Sequence, residues 1–413
     1  MLSSISDFLF IYRARFLLQW KIYLPKDHGI CAKSIDRNAV KILQVLIKNG
    51  YESYIVGGGV RDLLLNKSPK DFDVVTEANP QQVRRLFRHS ICIGRRFPIV
   101  HVRHPGGMIE VTTFRRSKPL WQVFKKKNDC FYGSLSTDVL RRDLTINALY
   151  YDIRDGSIRD AFDGYQDIKQ RQIKVIGKVS KRLHEDPIRM LRIIRIAAKL
   201  NFQIPEKTFS FMSRSRHLLL NASKERVYLE IIKSFYFGDG CACWKIMQDL
   251  SLWQALSPTL HELCRTQPMY AQFIQTFLAN SDQRFQEDKK RSVVFLFAVL
   301  FWPLFFDLQQ THQKNKKSSK PKLDQQMHQV LVSSIGHMKL PRSVVESVQQ
   351  IWHFQLRWHN KRAYHIKSVT QHRRFHAAYD FLVLRALFNP KLGPLVKFWG
   401  QYKMPSAGSQ DQV

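Results

Sequence analysis

The segment Asp71-Phe72-Asp73 places two carboxylates one residue apart within a run that has the apolar character of a β-strand. Alternate residues of a strand share one face, so both aspartates would lie side by side while Phe72 turns to the core. Paired carboxylates repel each other unless cations lie between them, and oxygen-preferring divalent ions are the natural occupants: Mg²⁺ above all, with Mn²⁺ as the alternative. The chemistry would be two-metal phosphoryl transfer, in which one ion activates an attacking hydroxyl and the other stabilises a leaving pyrophosphate.

A third carboxylate is expected from a neighbouring strand. Glu110 lies between Ile109 and Val111 in a second strand-like run. A carboxylate flanked by apolar residues is costly to bury without a partner, so Glu110 is predicted to join the metal site. A salt bridge to a lysine or arginine is the alternative.

The segment from Val56 to Asp62 contains Gly57-Gly58-Gly59 between a short strand and a helical run. Glycines let backbone N–H groups approach a ligand closely, and a helix N-terminus favours negative charge, which would suit a triphosphate. A tight turn without any ligand explains the glycines equally well.

Two further segments carry charged residues in patterns that fit a nucleotide. Asp143 and Asn147 are four residues apart in a predicted helix and would share a face, where they could hold a ribose or assist the metal site, with Arg142 meeting a phosphate. Arg189, Arg192 and Arg195 recur every third residue on a helix otherwise built of Ile, Leu, Met and Ala. Such a cationic ridge needs anions opposite it, and Glu185 and Asp186 could supply some.

These segments follow one another in a fixed order over about residues 35–200: Gly57-Gly58 with Asp71 and Asp73; Arg141-Arg142-Asp143-Leu144-Thr145-Ile146-Asn147-Ala148-Leu149; Asp163-Gly164 with Asp167; and Glu185-Asp186-Pro187 with Arg189, Arg192 and Arg195. Their order and spacing resemble the polymerase-β nucleotidyltransferase superfamily, and within it the family of bacterial poly(A) polymerases and CCA-adding enzymes. The resemblance implies catalytic roles for Asp71, Asp73, Glu110 and Asp143, with the metal held by Asp71 and Asp73. It implies nucleotide contacts from Gly57, Gly58, Arg61, Arg142, Asp143, Asn147, Asp186, Arg189 and Arg192.

The same motifs serve both activities of this family, and the segment Gly94-Arg95-Arg96-Phe97 separates them. It resembles the segment that marks poly(A) polymerases, so we expect AMP transfer from ATP to RNA 3′ ends, marking RNA for decay, with RNA-decay or RNA-chaperone partners. A CCA-adding tRNA nucleotidyltransferase and a catalytically silent basic RNA-binding protein are the alternatives. Candidate RNA-binding cations are Arg95, Arg96, Lys125, Lys126, Lys127, Arg362, Arg373 and Arg374.

The charge balance agrees with an RNA partner. Lys and Arg number 66 against 33 acidic residues in 413, a formal net charge of +33. A surplus of this size indicates a polyanionic partner, either nucleic acid or an anionic membrane surface.

The six cysteines form no disulfide framework, so we expect a cytoplasmic protein. A zinc site at Cys241, Cys243, His261 and Cys264 fits no standard spacing, and buried thiols are the favoured alternative.

The elements that position these residues divide the chain. Strand-like runs end near residue 175, and long amphipathic runs follow, which predicts an α+β fold: a nucleotidyltransferase head with a mixed sheet, then an all-helical neck and body. The predicted boundaries are 1–34 for an N-terminal extension, 35–172 for the catalytic head, 173–245 for the neck, 246–403 for the body with its basic C-terminal part, and 404–413 for a disordered tail.

Two further segments are apolar or basic without belonging to the motifs above. Phe8 to Leu24 is apolar but interrupted by Arg13, Arg15 and Lys21, so no stable membrane insertion is expected; a packed or mobile extension is favoured over a helix on a membrane surface. Gln309 to Gln326 breaks the helical pattern and is predicted to be a basic loop, with five lysines between Lys314 and Lys322.

Overall fold

The computed structural model describes residues 18–94, 98–116, 132–314, 323–359 and 362–403. The chain forms two compact units. The first comprises Met1–Arg182 with Asn201–Pro205, and the second Leu183–Leu200 with Glu206–Val413. The predicted division into extension, head, neck, body and tail is finer than these two units and stays a prediction.

An eight-stranded mixed sheet forms the centre of the first unit. Its strands are β1 (Lys21–Tyr23), β2 (Ser53–Val56), β3 (Asp73–Thr76), β4 (Ser90–Ile93), β5 (Ile99–His104), β6 (Gly107–Thr113), β7 (Leu149–Tyr151) and β8 (Ile158–Asp160). Their order across the sheet is β1-β8-β7-β2-β3-β6-β5-β4. β3 and β6 run parallel, and the other neighbouring pairs are antiparallel. The mixed sheet confirms the predicted fold class of this part of the chain.

Short helices accompany the sheet: α1 (Pro25–His28), α2 (Arg37–Lys48), α3 (Gly58–Leu64), α4 (Pro80–Leu86), α5 (Leu135–Val139), α6 (Gly164–Lys169) and α7 (Val179–Glu185), which continues into the second unit. The longest of them, α2, begins at Asp36, whose carboxylate accepts hydrogen bonds from the backbone N–H groups of Asn38 and Ala39. Its buried residues recur at helical spacing and face β2 and β3. α2 therefore closes one side of the strands that carry the predicted site.

The second unit is helical, as predicted. Its α-helices are α8 (Arg189–Leu200), α9 (Glu206–Arg214), α10 (Lys224–Phe235), α11 (Gly240–Asp249), α12 (Trp253–Leu256), α13 (Pro258–Thr266), α14 (Pro268–Gln286), α15 (Val293–Leu300), α16 (Trp302–Lys314), α17 (Leu323–Gln329), α18 (Arg342–Arg357), α19 (Ala363–Thr370), α20 (Phe375–Phe388) and α21 (Gly393–Gly400). Aromatic side chains fill its core; Trp352, for example, stacks on Phe305 and donates its indole N–H to the carbonyl of Ala298.

Two local predictions are wrong. Asp143 and Asn147 do not share an α-helix, because the backbone there forms hydrogen bonds with a segment about 30 residues further along the chain. The amide of Thr145 donates to the carbonyl of Lys174, the amide of Ile176 donates to the carbonyl of Asp143, and only Thr145–Asn147 forms a 3₁₀ turn. The predicted break at Gln309 is also wrong, since α16 continues through Lys314 and the Gln309 amide donates to Gln326, which belongs to α17.

One stretch, Val293–Thr311, is long and apolar enough to span a membrane, but 56% of its 18-residue apolar part is buried inside the protein. Leu296, Phe297 and Phe301 belong to the core of the second unit. Core helices of globular proteins pass the same length and composition test, so the stretch is weak evidence for a membrane span. At the N-terminus, Lys21–Tyr23 forms an edge strand paired with β8, while residues 1–17 lie outside the described part of the chain.

Candidate active site

The three predicted carboxylates come together at neighbouring strands. β3 begins at Asp73, and Asp71 lies two residues before it, outside the strand, while Phe72 between them is only 8% exposed. The parallel pairing of β3 with β6 places Asp73 in register with Glu110. The pKa of Asp73 is raised to about 6, chiefly by burial and also by the charges of Glu110 and Asp71, against the opposing charge of Arg142. The site therefore concentrates negative charge that the protein alone does not fully neutralise.

Asp73 and Glu110 form an acidic row across neighbouring strands, and a histidine lies next to them on β5. His101 on β5 is in register with Glu110, and its Nε2 lies 3.5 Å from Glu110 Oε1. Its Nδ1 lies 3.0 Å from the sulfur of Met108 on β6. The expected burial of Glu110 is wrong, because its side chain is 48% exposed, and its partner is a histidine beside the site rather than a lysine or arginine.

The glycine turn after β2 packs directly against Asp73. Gly57 has φ +81°, a conformation that favours glycine, and a Cβ built on it would lie 3.4 Å from Asp73 Oδ2 and 3.9 Å from Arg142 Nη1. Gly59 lies against Asp71 and Phe72, where a Cβ would meet the Asp71 carbonyl oxygen at 3.3 Å. The glycines therefore let the turn approach the aspartates closely.

The predicted nucleotide-binding residues of this unit adjoin the turn. Arg142 Nη1 lies 3.4 Å from the carbonyl oxygen of Asn147, and Arg61 Nη1 donates to Asn147 Oδ1 at 2.7 Å. Arg61 is buried and also pairs with Asp62. Asp143 is half-buried, and its Oδ1 accepts the backbone N–H of Leu144. Gly57, Asn147, Arg61 and Arg142 thus form one connected group beside Asp73.

The Asp163-Gly164-x-x-Asp167 segment packs against Thr145, which lies between Asp143 and Asn147. Asp167 is 1% exposed and accepts from the Thr145 hydroxyl at 2.7 Å and from the Lys174 ammonium at 2.6 Å. A Cβ on Gly164 would lie 2.3 Å from the Thr145 carbonyl oxygen. The segment therefore fixes the backbone that carries Asp143 and Asn147.

Within the second unit, the arginine ridge of α8 finds acidic partners. Arg189, Arg192 and Arg195 are all half-buried. Arg189 pairs with Glu185 at 3.3 Å, and Arg195 pairs with the buried Glu230 of α10 at 3.2 Å. Glu185 thus supplies one of the expected anions, and Glu230, which the sequence analysis did not name, supplies another.

Asp186 has a partner that sequence reasoning missed. Arg226 of α10 binds it through two hydrogen bonds, of 3.0 and 2.8 Å. A bidentate pair of this kind fixes the orientation of the carboxylate. The pair joins residues 40 positions apart, so only a helix–helix contact could have revealed it.

The donor set fits a divalent cation. In the part of the chain that the structure describes, no three His, Cys, Asp or Glu side chains are arranged as a complete metal cluster. Mg²⁺, however, is usually held by one or two carboxylates together with waters and substrate phosphates. The half-buried carboxylate of Asp73, beside Asp71 and Glu110, matches that requirement.

The predicted RNA-binding cations divide into two groups. Arg95, Arg96 and Lys125–Lys127 lie outside the described residues, as does 315–322 of the predicted basic loop. Arg362 and Arg373 are exposed in the second unit, whereas Arg374 is half-buried and donates to the Ser347 hydroxyl at 2.8 Å. Their role in RNA binding stays a prediction.

The cysteines near the zinc candidate are mostly buried. Cys243 and Cys264 are buried, as predicted, and Cys241 is half-buried. Burial raises the pKa of Cys264 to about 12, which keeps the thiol protonated and unreactive at neutral pH.

The mixed sheet with its acidic row and the helical remainder define a nucleotidyltransferase fold. The structure resembles the crystal structure of the Bacillus stearothermophilus CCA-adding enzyme in complex with CTP, with a TM-score of 0.63 and 25% identity over 88% of this chain and 81% of that one. Three family descriptions match the sequence: "Poly A polymerase head domain" over residues 53–174, "Probable RNA and SrmB- binding site of polymerase A" over 201–264, and "Polymerase A arginine-rich C-terminus" over 315–413.

Similarity over the whole chain narrows the class. Poly(A) polymerase I of Escherichia coli O157:H7 is 37% identical over 404 residues, which cover 94% of this chain and 87% of the relative. The CCA-adding enzyme of Bacillus pumilus is 41% identical, but over 196 residues, 48% of this chain and 49% of the relative. This chain belongs to the poly(A) polymerase I family.

Proposed function

We propose that this protein is a template-independent polynucleotide adenylyltransferase that transfers AMP from ATP to RNA 3′ ends and releases pyrophosphate. The observation that carries the proposal is the register of Asp73 with Glu110 beside Asp71 and the Gly57 turn. The catalytically silent alternative does not explain why a carboxylate with a raised pKa is kept there.

Enzymes of this family use divalent metal ions. We propose Mg²⁺, held by Asp71 and Asp73; when bound, it would supply charge stabilisation to the phosphoryl groups and activate the attacking hydroxyl. Glu110 completes the negative patch, with His101 beside it. The Gly57 turn leaves room for the triphosphate close to Asp73, and Arg142 offers it a permanent positive charge.

Without a nucleic-acid template, the protein must choose the base by its hydrogen-bonding edge. Asp186 and Arg189 are proposed to provide that recognition, with Arg192 beside them. Asp186 is fixed by Arg226 and Arg189 by Glu185, so their polar atoms have set directions. A wrong base leaves such groups unpaired, at a cost of about 1–3 kcal/mol for each.

RNA is the proposed polyanionic partner of the +33 charge. Exposed cations of the second unit, among them Arg362 and Arg373, are proposed to contact the phosphate backbone, where neighbouring aromatic residues would suit single-stranded RNA. We further propose a cytoplasmic location and a role in marking RNA for decay, with RNA-decay or RNA-chaperone proteins as partners.

Adenylate addition is favoured over CCA addition by the extent of the similarity. The CCA-adding relative from Bacillus pumilus matches about half of this chain, whereas the poly(A) polymerase match includes the C-terminal part. The arginine-rich C-terminal description also matches residues 315–413.

The experiment that tests the proposed function is an extension assay on a labelled RNA without a tRNA fold, with ATP and Mg²⁺. The wild-type protein should extend the RNA and release one pyrophosphate for each nucleotide added, while Asp71→Ala and Asp73→Ala should abolish transfer. Asp288→Asn, a change at an exposed aspartate of the second unit, is the matched control and should behave as wild type. Near-normal turnover in either site variant would refute the two-carboxylate assignment.

A further inference from the structure

Arg142 is held on one side by a buried pair of residues that the proposed mechanism does not use. Its Nε donates to the Tyr150 hydroxyl at 2.8 Å and lies 3.2 Å from Asp138 Oδ2, and its Nη2 donates to Asp138 Oδ2 at 3.0 Å. The Tyr150 hydroxyl in turn donates to Asp138 Oδ2 at 3.0 Å. The three side chains therefore form a closed hydrogen-bonded triangle.

The other edge of the same guanidinium points to the site. Arg142 Nη1 and Asp73 Oδ2 both lie within 4 Å of the position that a Cβ on Gly57 would occupy. Among the residues that the structure describes, Nη1 makes one long approach, of 3.4 Å, to the Asn147 carbonyl oxygen. One edge of the guanidinium is thus committed to Asp138 and Tyr150, and the opposite edge faces the turn where the triphosphate is proposed to bind.

The two holding residues are themselves fixed. Tyr150 is 0% exposed on β7, with its ring under the guanidinium at 5.0 Å from the centroid. Asp138 is 6% exposed on α5, and its second oxygen accepts the backbone N–H of Arg115 at 3.2 Å. Neither side chain can follow a moving arginine without breaking buried hydrogen bonds.

We infer that Asp138 and Tyr150 are positioning residues that orient Arg142, so that its Nη1 edge is presented to the phosphates of the incoming nucleotide before that nucleotide binds. This inference rests on the proposed function, in which Arg142 contacts the triphosphate. An unrestrained arginine loses side-chain entropy when it binds an anion, and holding it in one rotamer beforehand removes that cost. The triangle has a catalytic purpose only through Arg142.

The test combines Tyr150→Phe with Arg142→Ala in a double-mutant cycle. Tyr150→Phe keeps the buried ring and removes only the hydroxyl. In an otherwise wild-type protein it should lower kcat/KM for ATP about tenfold, the size expected for losing a hydrogen bond to a charged group. In the Arg142→Ala background it should have less than about a twofold further effect, because its action passes through the missing arginine.

A second readout separates positioning from general stability. Inorganic tripolyphosphate, used as a competitive inhibitor against ATP, should bind about tenfold more weakly to Tyr150→Phe than to the wild type. Tyr151→Phe, at the neighbouring buried strand position, is the matched control and should change neither value. Asp138→Asn is a second variant, expected to weaken both ATP use and tripolyphosphate binding, and it decides the matter if Tyr150→Phe does not fold.

The outcomes distinguish failure of the proposed function from failure of the positioning role. If Arg142→Ala uses ATP as well as the wild type, the proposed role of Arg142 fails. If Arg142→Ala is impaired but Tyr150→Phe and Asp138→Asn are not, positioning is overturned and the proposed function stands. Equal losses from Tyr150→Phe in both backgrounds would also overturn positioning, because the hydroxyl would then act independently of Arg142.

Discussion

Asp73→Asn should stabilise the protein in the absence of divalent metal, although it should abolish transfer. The pKa of Asp73 is raised from an ordinary value of 3.8 to about 6, chiefly by burial and then by the charge of Glu110. The folded state therefore holds the Asp73 proton more tightly than the unfolded state does. The free energy of unfolding therefore falls as the pH rises from about 4 to above 6, because the folded state must release a proton that it holds tightly.

The magnitude follows from the size of the shift. The difference between 3.8 and about 6 corresponds to about 3 kcal/mol when Asp73 is fully ionised. The side chain keeps some contact with water, which screens the charge, so we expect a gain of about 2 kcal/mol on replacing it by asparagine. For a unit of this size, that raises Tm by roughly 4–8 °C.

The assay is thermal unfolding of wild type, Asp73→Asn and the control Asp288→Asn, without metal, at pH 4.5, 6 and 8. The gain from Asp73→Asn should be largest at pH 8 and should shrink toward pH 4.5, where the wild-type carboxyl is protonated. Added Mg²⁺ should raise the Tm of the wild type more than that of the variant. A variant that is no more stable than wild type at pH 8, or a gain that does not depend on pH, would refute the reasoning.

Three further predictions concern the turn, its support and the RNA. Gly57→Ala should lower kcat at least tenfold and destabilise the protein by about 1 kcal/mol, because it adds a methyl group against Asp73 in a positive-φ conformation; extension rates and Tm check this. Gly164→Ala should lower Tm more than Gly57→Ala does, because its Cβ would lie 2.3 Å from the Thr145 carbonyl oxygen. The affinity for single-stranded RNA should fall steeply across a salt series and should be unchanged in Asp73→Asn; a flat response would indicate that the basic surplus serves another partner.

Much of the acidic site could be predicted from the sequence because it depends on short-range rules. The prediction that Phe72 is buried between the two aspartates agrees with its 8% exposure, although Asp71 lies before β3 rather than in it. The burial cost expected for Glu110 does not apply, because that side chain is exposed. The β3–β6 register aligns Glu110 with Asp73 and agrees with the expectation that a neighbouring strand supplies a third carboxylate.

Other features could not be predicted because they depend on contacts between distant residues. The pairing of Thr145 with Lys174 replaced the expected helix at Asp143–Asn147, and nothing in the local periodicity reveals it. The same holds for Arg226 on Asp186, which joins two helices.

Some helix boundaries differ from the sequence pattern for another reason. The amphipathic run from Trp244 to Leu256 reads as one helix, but it is divided at Ser251, which has φ +53° and separates α11 from α12. A serine in that conformation is uncommon, and composition alone gives no sign of it. The polar run after Gln309 shows the opposite case. Its composition predicts a loop, but it continues the helix α16, which a hydrogen bond from Gln309 to Gln326 links to α17.

The central claim is repeated adenylate addition, and single-nucleotide extension tests it most directly. Each of the four nucleoside triphosphates is offered alone, with Mg²⁺, to an unstructured RNA and to a tRNA that lacks its 3′ CCA. We predict that ATP is added many times to both RNAs and that CTP is a poor substrate for both. Incorporation of CTP on the tRNA, followed by one adenosine and a halt when CTP and ATP are supplied together, would contradict the account and identify a CCA-adding enzyme.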